Sequence, residues 1–397
     1  MTKRLTLAAA LLISIAAHAQ QPPTFRTDIT VVQLPVRVLD AKGNFVRDLS
    51  RADFDVIEDG VRQTITEFSL IDLSTTSKQP PNVASSGVLA HSDLEKLEGR
   101  LYVFLLDDAH TDMMHAARAR DLIRGFIKDR MMPGDAAAVV IASGAARQDF
   151  THDKQMLLKA VDRFTGTLDA GEPASLKQQR ARAMVRLVTD LSAALGQIRG
   201  RHKTVIYVGS RIGCQVTFEA TTDFAPKQSL EIPERAESAN RDVNLSSAGT
   251  TAAPDAGEQV LCNEELWDAV RAAVQANVSL YSIDPRGMLN RGWVSPTVDG
   301  RGGPDQARRR MAVTEPGRPS VLDGFYVLSD HTGGFAVTGT NNYRDPFDRI
   351  VRESSTYYLL SYTSTNTKSD GKYRRIDIKV IRPGVQTFYR AGYLARR

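Results

Sequence analysis

The stretch Leu101-Tyr102-Val103-Phe104-Leu105-Leu106-Asp107-Asp108-Ala109-His110-Thr111 decides how the rest of the chain is read. Six apolar residues in a row, without alternation, are what a parallel strand covered on both faces needs. The run ends on acids, and small and hydroxyl residues follow. Helical spacing then takes over at Ala119, Ile123, Phe126 and Ile127. In sheets of this kind ligands gather beyond the carboxyl ends of the strands. A carboxylate and hydroxyls placed there suit a hard divalent cation, which prefers oxygen ligands.

Working downstream, apolar runs at Ala136 to Ala142, Thr204 to Val208 and Val278 to Ile283 read as further buried strands. Between them lie helical patterns at Met156 to Phe164, Ser175 to Ile198 and Glu264 to Asn277, with later ones at Asp323 to Asp330 and Pro346 to Ser354. This alternation predicts an α/β segment over 99–352: a doubly wound, mainly parallel sheet with right-handed crossovers. Residues 215–262 and 286–319 lack period and exceed the roughly 15 residues expected of a structureless connection. They read as surface insertions.

Both flanks are β-like. Ile29 to Leu39 is rich in β-branched residues, and Asp59-Gly60 between Phe54–Glu58 and Val61–Phe68 is a strong hairpin signal. Residues 74–98 begin with Ser, Thr and Pro80-Pro81 and read as a linker. After 353, Tyr357 to Tyr362 and the alternating Ile376, Ile378 and Val380 mark strands. Neither flank, 20–73 or 353–397, has many strands alone. One β-sandwich made from both antiparallel segments, with the α/β segment inserted between them, would give each enough.

The chain has 397 residues, room for two or three domains of roughly 100–200 residues. Lys3-Arg4, the apolar Leu5 to Ala17 and Ala17-His18-Ala19 have the layout of a secretory signal peptide over 1–19. The expected compartment is therefore periplasmic or extracellular. The apolar run is shorter than the roughly 20 residues of a membrane span, and no later stretch is long and apolar enough. Loss of Lys3 and Arg4 takes the formal charge from +5 to +3. So mild a balance, with Arg scattered, gives little reason to expect nucleic acid; Arg308-Arg309-Arg310 and Arg396-Arg397 read as solvated surface. Cys214 and Cys262 are the only cysteines, and an oxidising compartment makes a disulfide the expected pairing. In the chain-entropy account it stabilises by about 4 kcal/mol. Two free buried thiols are the alternative.

The Asp107 stretch resembles the metal-ion-dependent adhesion site of von Willebrand factor type A domains, whose pattern is Asp-x-Ser-x-Ser, a Thr in a second loop and an Asp after a later strand. Asp107 matches the first acid, Ala109 replaces the first Ser, and Thr111 replaces the second. Thr167 is the best match for the loop Thr. After Thr204-Val205-Ile206-Tyr207-Val208, Gly209-Ser210 stands where the later Asp should be. The resemblance thus implies a Rossmann-like fold with a degenerate site. Asp107, Thr111 and Thr167 are its candidate ligands for Mg²⁺ or another divalent cation, with Asp108 and Ser210 as neighbours. Val32–Val38, Asp53–Gly60, Arg201–Tyr207, Tyr281–Gly287, Thr332–Gly334 and Tyr357–Tyr362 also resemble one exported, acidobacterial-type branch of the family, over almost all of the mature chain.

Three rival chemistries are less well matched by the residues. Ser210, Asp284 and His331 occur in the order of an α/β-hydrolase triad, but Val208-Gly209-Ser210-Arg211-Ile212 lacks the Gly-x-Ser-x-Gly elbow. His110, His115 and His152 lack the spacing of a zinc site and read as solvated or capping residues. Ser143-Gly144-Ala145-Ala146 has no Lys-Ser/Thr to make a phosphate loop. The reading taken forward is an exported, non-enzymatic module that binds an unidentified protein partner through its upper loops, with a metal-free structural envelope protein as the alternative.

Overall fold

The computed structural model describes residues 31–74, 89–168, 171–210, 212, 214, 256–287, 323–390 and 392–395. The expected signal peptide, both Arg clusters and most of the two insertions lie outside these residues.

A six-stranded sheet organises the middle of the chain. Its strands are β5 (Leu101–Leu106), β6 (Ala136–Ile141), β7 (Arg147–Thr151), β8 (Lys203–Val208), β9 (Val278–Ile283) and β10 (Ala336–Val337), in the order β10-β9-β8-β5-β6-β7. All neighbours are parallel except β6 and β7. Central β5 shows why the apolar run has no alternation. Leu101, Val103 and Leu105 enter one core, and Tyr102, Phe104 and Leu106 enter the other.

Helices cover both faces. On one side lie α2 (Met113–Asp129), α3 (Lys154–Val161) and α7 (Arg344–Ser355), which close over Phe104 through Phe126 and Phe347. The other side carries α4 (Ala174–Gly196), α5 (Ala256–Gln275) and α6 (Asp323–Thr332). The first crossover leaves β5 toward β6, and the later ones build outward through β8 on its other side. The strand order therefore reverses at β5, where a crevice for ligands forms in open α/β sheets. At the amino end, buried Arg100 grips buried Asp135 through Nε–Oδ1 at 3.0 Å and Nη2–Oδ2 at 2.5 Å, fixing β5 to the turn before β6.

The terminal segments pair with each other. β1 (Val31–Leu39) lies antiparallel between β11 (Thr356–Thr363) and β13 (Gln386–Phe388), and β4 (Ile65–Asp72) flanks β11. In the second sheet β12 (Tyr373–Val380) lies between β2 (Phe54–Glu58) and β14 (Gly392–Leu394), with β3 (Val61–Gln63) outside β2. The sheets face each other through Phe54 of β2, whose ring lies 5.5 Å from Phe68 and 5.3 Å from Tyr358. Buried Glu58 accepts from Tyr362 at 2.7 Å and Tyr393 at 3.1 Å. This apolar interior runs without a break into the α4–α6 side of the large sheet.

Four local expectations change. The stretch Val61–Phe68 is not one strand: it breaks at Thr64, and the chain crosses from one sheet to the other. The expected linker 74–98 contains a short helix, α1 (His91–Lys96), whose Leu94 is buried with the flanking Leu89 and Leu97. The helix expected from Glu264 begins at Ala256, inside the presumed insertion 215–262. Edge strand β7 was not foreseen, because Arg147-Gln148-Asp149 shows the solvent its charges. The hairpin turn forms at Asp59 and Gly60, both with positive φ (48° and 84°), as a two-residue turn matched to strand twist requires.

Candidate functional site at the carboxyl end of the sheet

Asp107 leaves β5 at the reversal point, and its backbone N–H continues the ladder to Val208 O at 2.9 Å. Its side chain is fully buried. The backbone N–H of His110 donates to Oδ1 at 3.1 Å, which turns the chain back on itself. His110 Nδ1 lies 2.7 Å from Oδ2, and the hydroxyl of Tyr207, from neighbouring β8, donates to the same oxygen at 2.5 Å. Burial, followed by the Asp107 charge, raises the Tyr207 phenol well above its ordinary range, so it stays a proton donor. Both carboxylate oxygens are therefore engaged inside the protein.

The surrounding loops lock this cluster. Gly166 packs so tightly on the loop after β5 that a Cβ would strike the carbonyl oxygens of Thr111 and Asp112. Next to it, Thr167 donates its N–H at 2.8 Å and its hydroxyl at 3.0 Å to the carbonyl of Asp108. Leu168 N–H reaches Thr111 O at 3.1 Å, and Arg180 of α4 reaches Ala109 O at 3.2 Å. The Asp108 carboxylate accepts from Ser143 N–H at 3.0 Å. At the end of neighbouring β8, Gly209 rests against the Asp107 Cβ, where a larger residue would not fit, and Ser210 follows it.

Asp107, Asp108, Thr111, Thr167 and Ser210 thus stand around one rim, but not as a ligand set. Asp107 is held by His110 and Tyr207, and the Thr167 hydroxyl by a carbonyl. Thr111 Oγ1, Ser210 Oγ and His110 Nε2 are buried with no hydrogen-bond partner. Of the three candidate ligands only the Thr111 hydroxyl makes no hydrogen bond, and Asp107 is the one carboxylate among them. Among the described residues no group of three or more His, Cys, Asp or Glu is arranged to hold a metal. This donor set does not fit a resident divalent cation, which needs several free oxygen ligands, usually with charge.

His110 corrects its expected role, being buried rather than solvated. The signal for it was present: His three positions after an acid that ends a strand can fold back onto that acid. Tyr207 had no such signal, since only strand register brings it level with Leu105 and within reach of Asp107. His115 is not the capping residue of α2: Asp112 is, its Oδ1 accepting from the His115 N–H at 2.9 Å while His115 Nδ1 lies 2.6 Å from Oδ2. His152 instead binds the carbonyl of Asp135 through Nδ1 at 2.7 Å.

The hydrolase order does not assemble. Ser210 follows Gly209, which is bonded to Ile283 O at the carboxyl end of β9. His331 stands beside Thr332, whose hydroxyl accepts from Leu280 N–H toward the amino end. Three residues of strand, roughly 10 Å, separate those anchor points. His331 instead faces Trp267 at 4.9 Å, and burial lowers its pKa to about 4. Asp284 is claimed by Arg286, with Nη2–Oδ2 at 2.6 Å. Cys214 and Cys262 form a disulfide, Cα–Cα 5.7 Å, that ties the segment after β8 to α5 across 48 positions.

No protein-family model matches the chain, and no curated protein matches it. Among solved structures it is similar to an aerotolerance-related membrane protein from Bacteroides fragilis (11% identity, 64% of this chain and 98% of that one, TM-score 0.34). It is also similar to BatB from Bacteroides thetaiotaomicron (13%, 64% and 97%, TM-score 0.34). A third is the three N-terminal domains of the type V pili tip protein Mfa5 from Porphyromonas gingivalis (10%, 93% and 66%, TM-score 0.33). At these TM-scores the likeness does not bear on what this chain does. Among the described residues no helix is long and apolar enough to cross a membrane.

Proposed function

We propose that the chain is an exported, non-enzymatic protein-binding module on a von Willebrand factor A-like scaffold whose upper face works without a metal. The strand order and the reversal at β5 support the scaffold. The internal pairing of Asp107 supports independence from metal. The observation that carries the binding role is the adjacent pair Met113 and Met114, 78% and 80% exposed at the start of α2. They stand directly after the buried Asp107–Thr111 loop. Methionine is adaptable and suits contact surfaces, and here a rigid, hydrogen-bonded floor presents two of them together. The buried residues hold that floor; the side chains that would touch a partner are Met113, Met114 and Thr167.

The test is site-specific photocrosslinking in the native envelope. Benzoylphenylalanine at Met113 or Met114 is expected to trap a discrete partner, and the same probe at Ile381, 67% exposed on the sandwich side, is not. With the probe at Met113, Met114→Glu should abolish capture, as should Met113→Glu with the probe at Met114, neither changing the melting temperature. Equal capture from all three positions, or none from the rim, would sink the reading.

A further inference from the structure

A second polar region lies at the opposite, amino end of the sheet. There a cavity of about 330 Å³ opens between the first residues of β8, the ends of α4 and α5, and the sandwich edge formed by β1 and β14. Its walls include Lys203 and Arg390, 2% and 6% exposed, together with Arg199, and among the described residues no Asp or Glu. Among the described residues neither Lys203 nor Arg390 makes an ion pair. Glu58, the buried carboxylate of the sandwich, is taken up by the hydroxyls of Tyr362, Ser364 and Tyr393.

The electrostatics agree with this isolation. Burial, and then neighbouring Arg201, lowers Lys203 to about 8. Burial also lowers Arg390 to about 10. His202 is pushed down to about 4, first by burial and then by Lys203 and Arg390, against a hydrogen bond with Asn277 that raises it. Burial is the largest cause for Lys203, His202 and Arg390 alike; Tyr362, Tyr393 and Tyr373 oppose it at Arg390, and no carboxylate does so at any of the three.

A plainer role exists for both side chains. Lys203 Nζ donates to Ala276 O at 2.8 Å and Arg390 Nη1 to Val274 O at 3.4 Å, so they cap the last carbonyls of α5. A helix end carries only about half a negative charge. Two buried full charges exceed it, and Arg390 Nε remains buried without a partner. Capping therefore accounts for part of the charge and leaves the rest over beside an open volume. That volume stands at the lower end of the range of small-molecule sites, which run from roughly 300 to 1,000 Å³. Val32, Val274 and Leu394 give it an apolar wall.

We propose that this cavity binds a small organic oxyanion, a carboxylate or phosphate with a short apolar body, whose head rests on Lys203 and Arg390. The head would complete the hydrogen bonding of Arg390 Nε, and the body would cover Val32 and Leu394. This inference does not depend on the binding role of the upper face.

The test is calorimetric titration of the mature protein with hexanoate, hexyl phosphate, inorganic phosphate and hexanol. The two amphipathic anions should bind, each weakening as salt rises; whichever binds more tightly identifies the head group. Arg390→Met and Lys203→Met should weaken binding at least tenfold, and Arg390→Lys should restore part of it. In the unaltered protein the Arg390 Nε–H resonance should move downfield on titration, which keeps the test open if a variant fails to fold. Binding of hexanol as tight as hexanoate, full affinity in both methionine variants, or an unmoved Nε–H resonance under saturating anion would each overturn the proposal.

Discussion

Two buried charged sites on the large sheet, Asp107 at its carboxyl end and Lys203 with Arg390 at its amino end, are handled in opposite ways. At the carboxyl end one carboxylate, Asp107, is surrounded by donors from its own loop and from β8. At the amino end Lys203 and Arg390 meet only carbonyl oxygens. A charge whose partners are built into the chain is a structural element, and removing one partner is costly. A charge left with partial dipoles stabilises little by itself and becomes useful when a ligand arrives. The adhesion-site resemblance concerns the first site, whereas the charge without a counter-charge is at the second.

That contrast is most easily broken at Asp107. Asp107→Ala should destabilise the fold by about 3 kcal/mol, because it strands the Tyr207 hydroxyl and the His110 ring in a dry site. Urea unfolding measures this, and a loss below about 1 kcal/mol would mean that the cluster is not structural. An effect of similar size is expected from acid at the other end. His202 is held near 4 in the fold against 6.5 when free. Its folded value is depressed, so the unfolded chain binds the extra proton as pH falls. Stability from this group is complete above about 6.5 and drains by about 3 kcal/mol toward pH 4. His202→Gln should flatten that part of the curve, and an unchanged acid limb would contradict the burial assigned to this ring. Tyr207→Phe should cost about 2 kcal/mol, the worth of one hydrogen bond to a charged acceptor. Such a loss would also separate the hydroxyl's contribution from that of the His110 ring.

How much of this was legible beforehand follows from the range of each interaction. The unbroken run Leu101–Leu106 announces a strand buried on both faces, and Asp107 at its end announces a rim position. The Asp59-Gly60 turn is equally local. What the residues around Asp107 do with their hydrogen bonds is not local. Tyr207 lies 100 positions away and reaches the carboxylate only through the β5–β8 register. The pairing of β1 with β11 joins residues more than 300 positions apart, and the alternation in each strand could only suggest that each needed a partner. The amino-end cavity was invisible for the same reason. Lys203 stands just before an apolar run and Arg390 near the last residues, and neither position by itself announces a buried cation. Only folding brings them to one volume without an acid.

The smallest expected effect is the one that separates a capping role from a binding role most sharply. Lys203→Met removes a buried charge, which favours the fold, and strands the Ala276 carbonyl, which opposes it. The two effects are each about 1–3 kcal/mol, so the net change at neutral pH should stay within about 1 kcal/mol of the unaltered protein. The pH dependence is more telling. Lys203 is lowered to about 8 from 10.5, so between those values the unfolded chain holds a proton that the fold has shed. Stability should therefore rise with pH across that window, and Lys203→Met should abolish the rise. Saturating hexanoate should do the same in the unaltered protein, because an anion beside Lys203 holds its proton in place. If hexanoate leaves the alkaline rise intact while Lys203→Met removes it, the lysine serves only the end of α5 and the two ends of the sheet are more alike than their charges suggest.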